Sequence, residues 1–92
     1  MYDFLESSML DTKLKALADP TRREILSLLK TKPRKAGEIA AHFSISEAAV
    51  SRHLSVLKNC RMIAKTQAGR FVWYHLEPEE LDDIVQWLRE FV

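Results

Sequence analysis

Residues 45–58 read Ile-Ser-Glu-Ala-Ala-Val-Ser-Arg-His-Leu-Ser-Val-Leu-Lys, with a hydroxyl, a guanidinium and an imidazole at consecutive positions Ser51, Arg52 and His53. Val50, Leu54 and Leu57 recur at helical spacing, as the core side of a helix demands. The other side carries Ala48, Ser51, Arg52 and Ser55, small, hydroxylated and cationic, in place of the Glu/Lys mixture of an ordinary solvent-facing helix. A face of that kind suits a DNA groove. Ser51 and Arg52 can hydrogen-bond base edges or phosphates, bidentate arginine to guanine being the commonest specific contact, and Ala48 permits close approach to a thymine methyl. Ser44 and Ser46 lie in the turn before the helix, with Ser46 placed to cap it. Glu47 either accepts from a cytosine amino group or favours the positive end of the helix, and the second role is the expected one. His53, at the edge of the core side, is expected to be a packed, hydrogen-bonded histidine first and a phosphate contact second.

The same residues exclude most chemistry other than binding. Ser51 and His53 stand at i and i+2, which do not face each other on a helix, so they cannot act as nucleophile and base. No Gly-rich phosphate loop and no paired-carboxylate constellation is present, so an enzyme is not expected. His42 and His75 show no metal-ligand spacing, and the lone Cys60 excludes an intramolecular disulfide and a Cys-based zinc finger. Neither a metal nor a cofactor is expected, and Cys60 reads as inert filling at a helix end.

The formal net charge of +1 says little, but its distribution says more. Residues 30–70 hold nine Lys/Arg against Glu38 and Glu47, a net +7, which leaves −6 for the rest of the chain. The tail 77–92 has six acids and one Arg. A basic middle between acidic ends suggests one face for phosphates and another kept off them. Ninety-two residues, 47% hydrophobic, make a single domain, 1–92, near the lower limit for a sizeable core. Dimerisation would bury apolar surface that such a monomer leaves open. No apolar run approaches the roughly 20 residues that span a bilayer, and MYDFLESSML lacks the basic stretch of a signal peptide. The expected location is a reducing cytoplasm, without membrane insertion.

The elements that must position these groups follow from periodicity. Leu10, Leu14 and Leu17 predict a first helix over 8–18. Asp19-Pro20 reads as a helix start, and the second helix, Pro20 to about Lys30, should bury most of Ile25, Leu26, Leu28 and Leu29. Residues 32–35 read as a connector, and AGEIAAHF as a short helix with Ile39, Ala40 and Phe43 on one face. After Lys58 the apolar period changes from 3.6 to 2, predicting a β-hairpin turned at Ala68-Gly69. Val72, Tyr74 and Leu76 would point inward and Phe71, Trp73 and His75 outward, with Lys65 and Arg70 giving the wing a cationic tip. Pro78 opens a last helix, 78–92, whose Leu81, Ile84, Val85, Leu88, Phe91 and Val92 form one stripe. The fold class is therefore mainly α with a β-hairpin wing, in the order α-α-α-α-β-β-α of a winged helix-turn-helix.

Three segments, "LADPTRREILSLL", "AGEIAAHFSISEAAVSRHLSVLK" and "AGRFVWYHL", resemble the ArsR-type family of bacterial repressors over nearly the whole chain. Among its metal-free branches the chain is most like the small autorepressors of the sporulation-delay (SdpR-like) kind. The resemblance implies a homodimer whose helix Glu47–Lys58 reads the major groove while the hairpin reaches an adjacent minor groove or phosphate. Family members usually leave the recognition helix through a small residue and Gly, where this chain has Cys60 and Arg61. Thiol sensors of the family place Cys-x-Cys in the helix that here reads AGEIAAHF. The other common metal site needs Asp and His pairs on the last helix, which keeps Asp82 and Asp83 but has no His. Metal sensing is not expected.

The reading that results is a sequence-specific DNA-binding transcriptional regulator, a homodimeric repressor that sits on an inverted repeat of double-stranded DNA and blocks a promoter. DNA contacts are expected from Ser44, Ser46, Glu47, Ala48, Ser51, Arg52, His53, Ser55, Lys65 and Arg70. The first and last helices should pair across a two-fold axis through Leu10, Leu14, Leu17, Leu81, Ile84, Val85, Leu88 and Phe91, with Trp87 at the edge. The alternative is a winged-helix protein-interaction adaptor, held by a protein partner that sequesters it.

Overall fold

Local capping chemistry sets several of the helix boundaries. The structure, a computed structural model, describes residues 4–92, with side chains from Met9 onward; positions 1–3 of the expected domain lie outside the described residues. Helix α1 spans Phe4–Leu17, starting before the expected position 8, since nothing between Phe4 and Ser8 breaks a helix. Asp19 ends the connection with extended backbone, and its carboxylate accepts from the Thr21 and Arg22 amides at 2.8 and 3.2 Å. Pro20 opens α2 (Pro20–Leu29), where it has no hydrogen bond to lose.

The expected connector is structured. Arg34–Lys35 forms a short strand, β1, followed directly by α3 (Ala36–Ala41). Two residues are too few for a periodic pattern to announce a strand. Helix α4 (Glu47–Asn59) begins at Ser46, whose hydroxyl accepts from the Ala49 amide at 3.1 Å. Strands β2 (Ile63–Ala68) and β3 (Phe71–Leu76) form the hairpin, with Ala68 opposite Phe71 and Ile63 opposite Leu76. Gly69 takes φ +62 at the first position of the two-residue turn, as a primed turn asks. β1 adds to the outside of β3, Arg34 opposite Tyr74 and Lys35 opposite Trp73, so the wing is a three-stranded antiparallel sheet in the order β1-β3-β2.

The expected last helix, 78–92, is shorter and divided. Pro78–Leu81 makes a 3-10 turn, and α5 covers Asp82–Arg89 before the chain closes with three-residue hydrogen bonds from Glu90 and Phe91.

The core joins the five helices and the hairpin. Leu10 and Ala16 of α1, Ile25 and Leu29 of α2, Ile39 of α3, Val50, Leu54 and Leu57 of α4, Ile63 of β2 and Ile84 of α5 are buried together. Each fully buried aliphatic side chain contributes about 1.5–3 kcal/mol, so three of them on α4 hold that helix firmly by one side. Tyr74 and Leu76 pack on this core, as the inward alternation of β3 predicts, whereas Val72, also expected inward, is half-buried nearer the wing tip and does not join it. Leu10 and Ile84, expected at a subunit interface, are 2% and 7% exposed within a single chain. They are core residues here, because α1 and α5 pack on each other inside the protomer. Trp87 is half-buried on the same core, with the Phe91 ring edge-on to it at 5.2 Å.

Helix α4 ends in a Schellman turn. The Arg61 amide donates to the Lys58 carbonyl at 3.0 Å and the Met62 amide to the Leu57 carbonyl at 3.2 Å, while Met62 and Leu57 are both fully buried. The pivot residue, Arg61, takes φ +70, a conformation in which a side chain is strained by roughly 1–2 kcal/mol.

Candidate nucleic-acid interface

With Val50, Leu54 and Leu57 buried, the opposite side of α4 is held out to solvent. Ser44, Ser46, Glu47, Ala48, Ser51, Arg52 and Ser55 are all exposed on or just before it. Ser46 is spent on the cap, and Glu47 stands in the first turn, where a carboxylate meets the positive end of the helix. Ala48 and Ser51 line a groove shared with Ala36, Gly37 and Ala40 of α3 and with Tyr74 of β3. On the wing, Lys65 and Arg70 are exposed, Arg70 in the turn beside Gly69. The nine exposed candidates thus fall into two groups, one on α4 and its approach and one on the hairpin.

His53 is the exception. It is half-buried, and Arg22 Nη1 donates to its Nδ1 at 3.1 Å, which leaves the ring proton on Nε2 when the imidazole is neutral. The same guanidinium donates through Nε to the Ala16 carbonyl at 2.7 Å and through Nη2 to the Lys15 carbonyl at 3.3 Å. Arg22 therefore ties the end of α1 to the start of α2 and to α4. Sequence reasoning expected the packed histidine but not its partner, which lies 31 residues away.

Partial burial pushes the Asp19 carboxyl up. The Arg22 and Thr21 amides, together with the His53 and Arg22 side chains, outweigh that effect and hold it below the usual aspartate range. At the C-terminal end of α4, burial pushes the Cys60 thiol up against its backbone hydrogen bonds, and its Sγ donates to the Leu57 carbonyl at 3.3 Å. The thiolate is the reactive form, so this buried thiol is poorly suited to oxidant sensing.

Two further groups escaped the sequence pattern. Lys35 Nζ lies 4.3 Å from the centre of the Phe71 ring and 5.6 Å from that of Trp73, with the Arg70 guanidinium 5.4 Å from Phe71. Lys13, the one charged side chain fully buried among the described residues, is clamped between Glu80 and Asp83. Among the described residues, no group of three or more His, Cys, Asp or Glu is placed to hold a metal ion. His75 pairs with Glu77 at 2.8 Å and His42 with Glu24 at 3.4 Å. No helix among the described residues is long and apolar enough to cross a membrane.

A three-stranded wing beside a capped helix with an exposed Ser/Ala/Arg face defines a winged helix-turn-helix protein. Residues 19–65 match the family model described as "Bacterial regulatory protein, arsR family", and the chain belongs to that family of transcriptional regulators. It is 44% identical over 78 residues to the transcriptional repressor SdpR of Bacillus subtilis, covering 85% of this chain and 87% of that one. The arsenical resistance operon repressor of Staphylococcus aureus is 36% identical over 77 residues, covering 84% and 74%. Among solved structures, the ArsR family transcriptional regulator RHA00566 superposes with a TM-score of 0.87 at 30% identity, covering 98% of this chain and 91% of that one.

Proposed function

We infer that this chain is a homodimeric, sequence-specific repressor that occupies an inverted-repeat operator in double-stranded DNA and blocks a promoter sterically. It acts in the cytoplasm by binding rather than catalysis, with residues 1–92 as one DNA-binding domain. Ala48, Ser51, Arg52 and Ser55 read bases in the major groove, Ser44, Ser46 and Glu47 set the approach of α4, and Lys65 and Arg70 hold phosphates. His53 supports α4 from behind through Arg22. The observation that carries this reading is the exposed, carboxylate-poor side of α4, with Arg52 free of any protein partner among the described residues and a cationic wing beside it. The subunits join through the exposed part of the terminal stripes, Val85, Leu88 and Phe91, with Leu14, Leu17, Leu81 and Trp87 flanking them. The repressor does not respond to metal. Supporting this, Asp83, one of the two acids that the last helix keeps, is already engaged by the buried Lys13 ammonium, which it shares with Glu80.

Titration of selected and scrambled duplexes at two salt concentrations tests it. Arg52→Ala should cost roughly 1–3 kcal/mol on the selected sequence and less on the scrambled one, because base contacts carry the specificity. Arg70→Ala should weaken both evenly and reduce the salt dependence by about one unit per subunit. Equal losses on both duplexes would demote Arg52 to a phosphate contact. If no selected duplex binds in a salt-sensitive way, the protein is an interaction adaptor instead.

A further inference from the structure

Phe71 is 43% exposed on the outward side of the wing, where a large apolar ring has no core to serve. Two cations from separate elements converge on it. Lys35 of β1 places Nζ 4.3 Å from the ring centre, and Arg70 of the turn places its guanidinium 5.4 Å from it. Both distances lie within the roughly 6 Å over which an aromatic ring attracts a cation. Register explains the Lys35 contact: Lys35 pairs with Trp73, so its side chain rises on the face that Trp73 and Phe71 share. Like charges gathered on one ring repel each other, and among the described residues no carboxylate forms an ion pair with either. The four ion pairs among the described residues involve Lys13, His42 and His75, and neither Lys35 nor Arg70 takes part. Glu38, the acid on the same groove, turns a carboxylate oxygen to the Lys35 amide at 3.1 Å.

This cluster adjoins the recognition surface. Ala36 and Gly37 line the groove that holds Lys35, Arg70 and Phe71, and they also line the groove of α3 and α4 that holds Ala48 and Ser51. Gly37 is at the junction. A Cβ built there meets no protein atom within 4 Å, so nothing inside the chain calls for glycine at a helical position that alanine would stabilise.

We propose that Lys35 and Arg70, held over Phe71, form a seat for a DNA backbone phosphate next to the segment read by α4, with Gly37 as the floor over which the strand passes. The inference rests on the proposed DNA-binding function. Lys35 supplies a point charge, Arg70 a directed fork, and Phe71 orders both before DNA arrives, so that less side-chain freedom is lost on binding.

The test measures affinity for selected and scrambled duplexes across a salt series, with thermal melting of each variant alongside. Lys35→Ala should weaken both duplexes by about five- to tenfold and lower the salt slope by about one unit per subunit. Phe71→Leu keeps both charges and should weaken binding several-fold while the slope stays near that of wild type. Gly37→Gln should leave the melting temperature unchanged or raise it, Gln being the better helix former, and weaken binding about tenfold. Wild-type salt-sensitive binding together with an unchanged slope for Lys35→Ala would overturn the seat and leave the repressor reading standing. Loss of wild-type binding itself would overturn both. Inorganic phosphate and a nucleoside triphosphate, titrated against the Phe71 ring resonances, distinguish the source of the anion. Saturation below 1 mM by either, without competition from duplex, would assign the seat to a free phosphate ligand and overturn its role in DNA binding; negligible shifts by both, with duplex shifting the ring, are the expected result.

Discussion

Asp19 shows how one carboxylate sets both a helix boundary and a response to acid. Its pairing with the Thr21 and Arg22 amides starts α2 and leaves its folded pKa below the usual value of about 3.9. A carboxyl more acidic in the folded than in the unfolded state adds stability that is complete above the unfolded value and disappears as pH falls through the folded one. Asp19→Asn keeps an acceptor for both amides but has nothing to titrate. The stability difference between wild type and Asp19→Asn should therefore be constant near neutrality and shrink as pH drops below about 4, as followed by urea unfolding over a pH series. A difference that persists unchanged into acid would mean that Asp19 titrates alike in both states. At this scale the local features were legible: the Ser46 cap, the Asp19-Pro20 start and the exposed Ala48, Ser51, Arg52 and Ser55 all depend on neighbours within a turn or two. The Arg22–His53 bond and the Lys35–Phe71 contact were not, because each joins residues that only the tertiary fold brings together.

At the scale of elements, the tie between α1 and the C-terminal segment rests on Lys13. Its ammonium donates to the Glu80 carbonyl, to Glu80 Oε2 at 3.3 Å and to Asp83 Oδ1 at 3.1 Å, with the side chain 3% exposed. Glu80 and Asp83 keep 35% and 29% of their side chains in water. The asymmetry makes the two ends unequal. Lys13→Met fills the same volume with apolar atoms and leaves two acids that water can still solvate, a change expected to lie within about 1 kcal/mol of neutral. Asp83→Ala leaves a buried ammonium with only Glu80 to meet it and should cost about 2–3 kcal/mol, short of the full penalty for an orphaned buried charge. Urea denaturation of both variants checks the order, and a larger loss for Lys13→Met would show that the clamp stabilises by charge attraction more than it suffers from burial. Sequence periodicity found the Leu10/Leu14/Leu17 stripe but gave no sign of Lys13, since the partners of its ammonium lie 67 and 70 residues further along the chain. The two-residue β1 and the division of the last helix escaped for a related reason: both are fixed by pairing and hydrogen bonding, and neither leaves a periodic trace.

For the whole molecule, the division of apolar surface decides what a dimer can be built from. Leu10 and Ile84 stabilise the protomer from inside, so the stripe predicted for the interface is reduced to its outer half: Val85 at 43%, Leu88 at 50% and Phe91 at 69% exposure. That surface lies on the acidic C-terminal segment, whereas the cations of the wing and of α4 belong to the basic middle of the chain. A two-fold axis through α5 would keep the acidic ends together and point two basic faces at one duplex, with half-sites about one helical turn, roughly 34 Å, apart. The two hydrophobic positions on α5 should then fail in different ways. Ile84→Asp places a carboxylate in the protomer core and should unfold the chain, while Leu88→Asp places it on a surface that is open in the protomer and should yield folded monomers. Such a monomer retains one reading head. It loses the gain from binding two linked half-sites, so its affinity for the inverted repeat should fall about 10²–10⁴-fold, and its affinity for an isolated half-site should remain within about threefold of wild type. Sedimentation at micromolar protein, circular dichroism and fluorescence anisotropy on full and half sites measure the three quantities. A Leu88→Asp protein that stays dimeric would move the interface away from α5. One that is monomeric yet binds the full repeat as tightly as wild type would show that the two heads do not act on one duplex together.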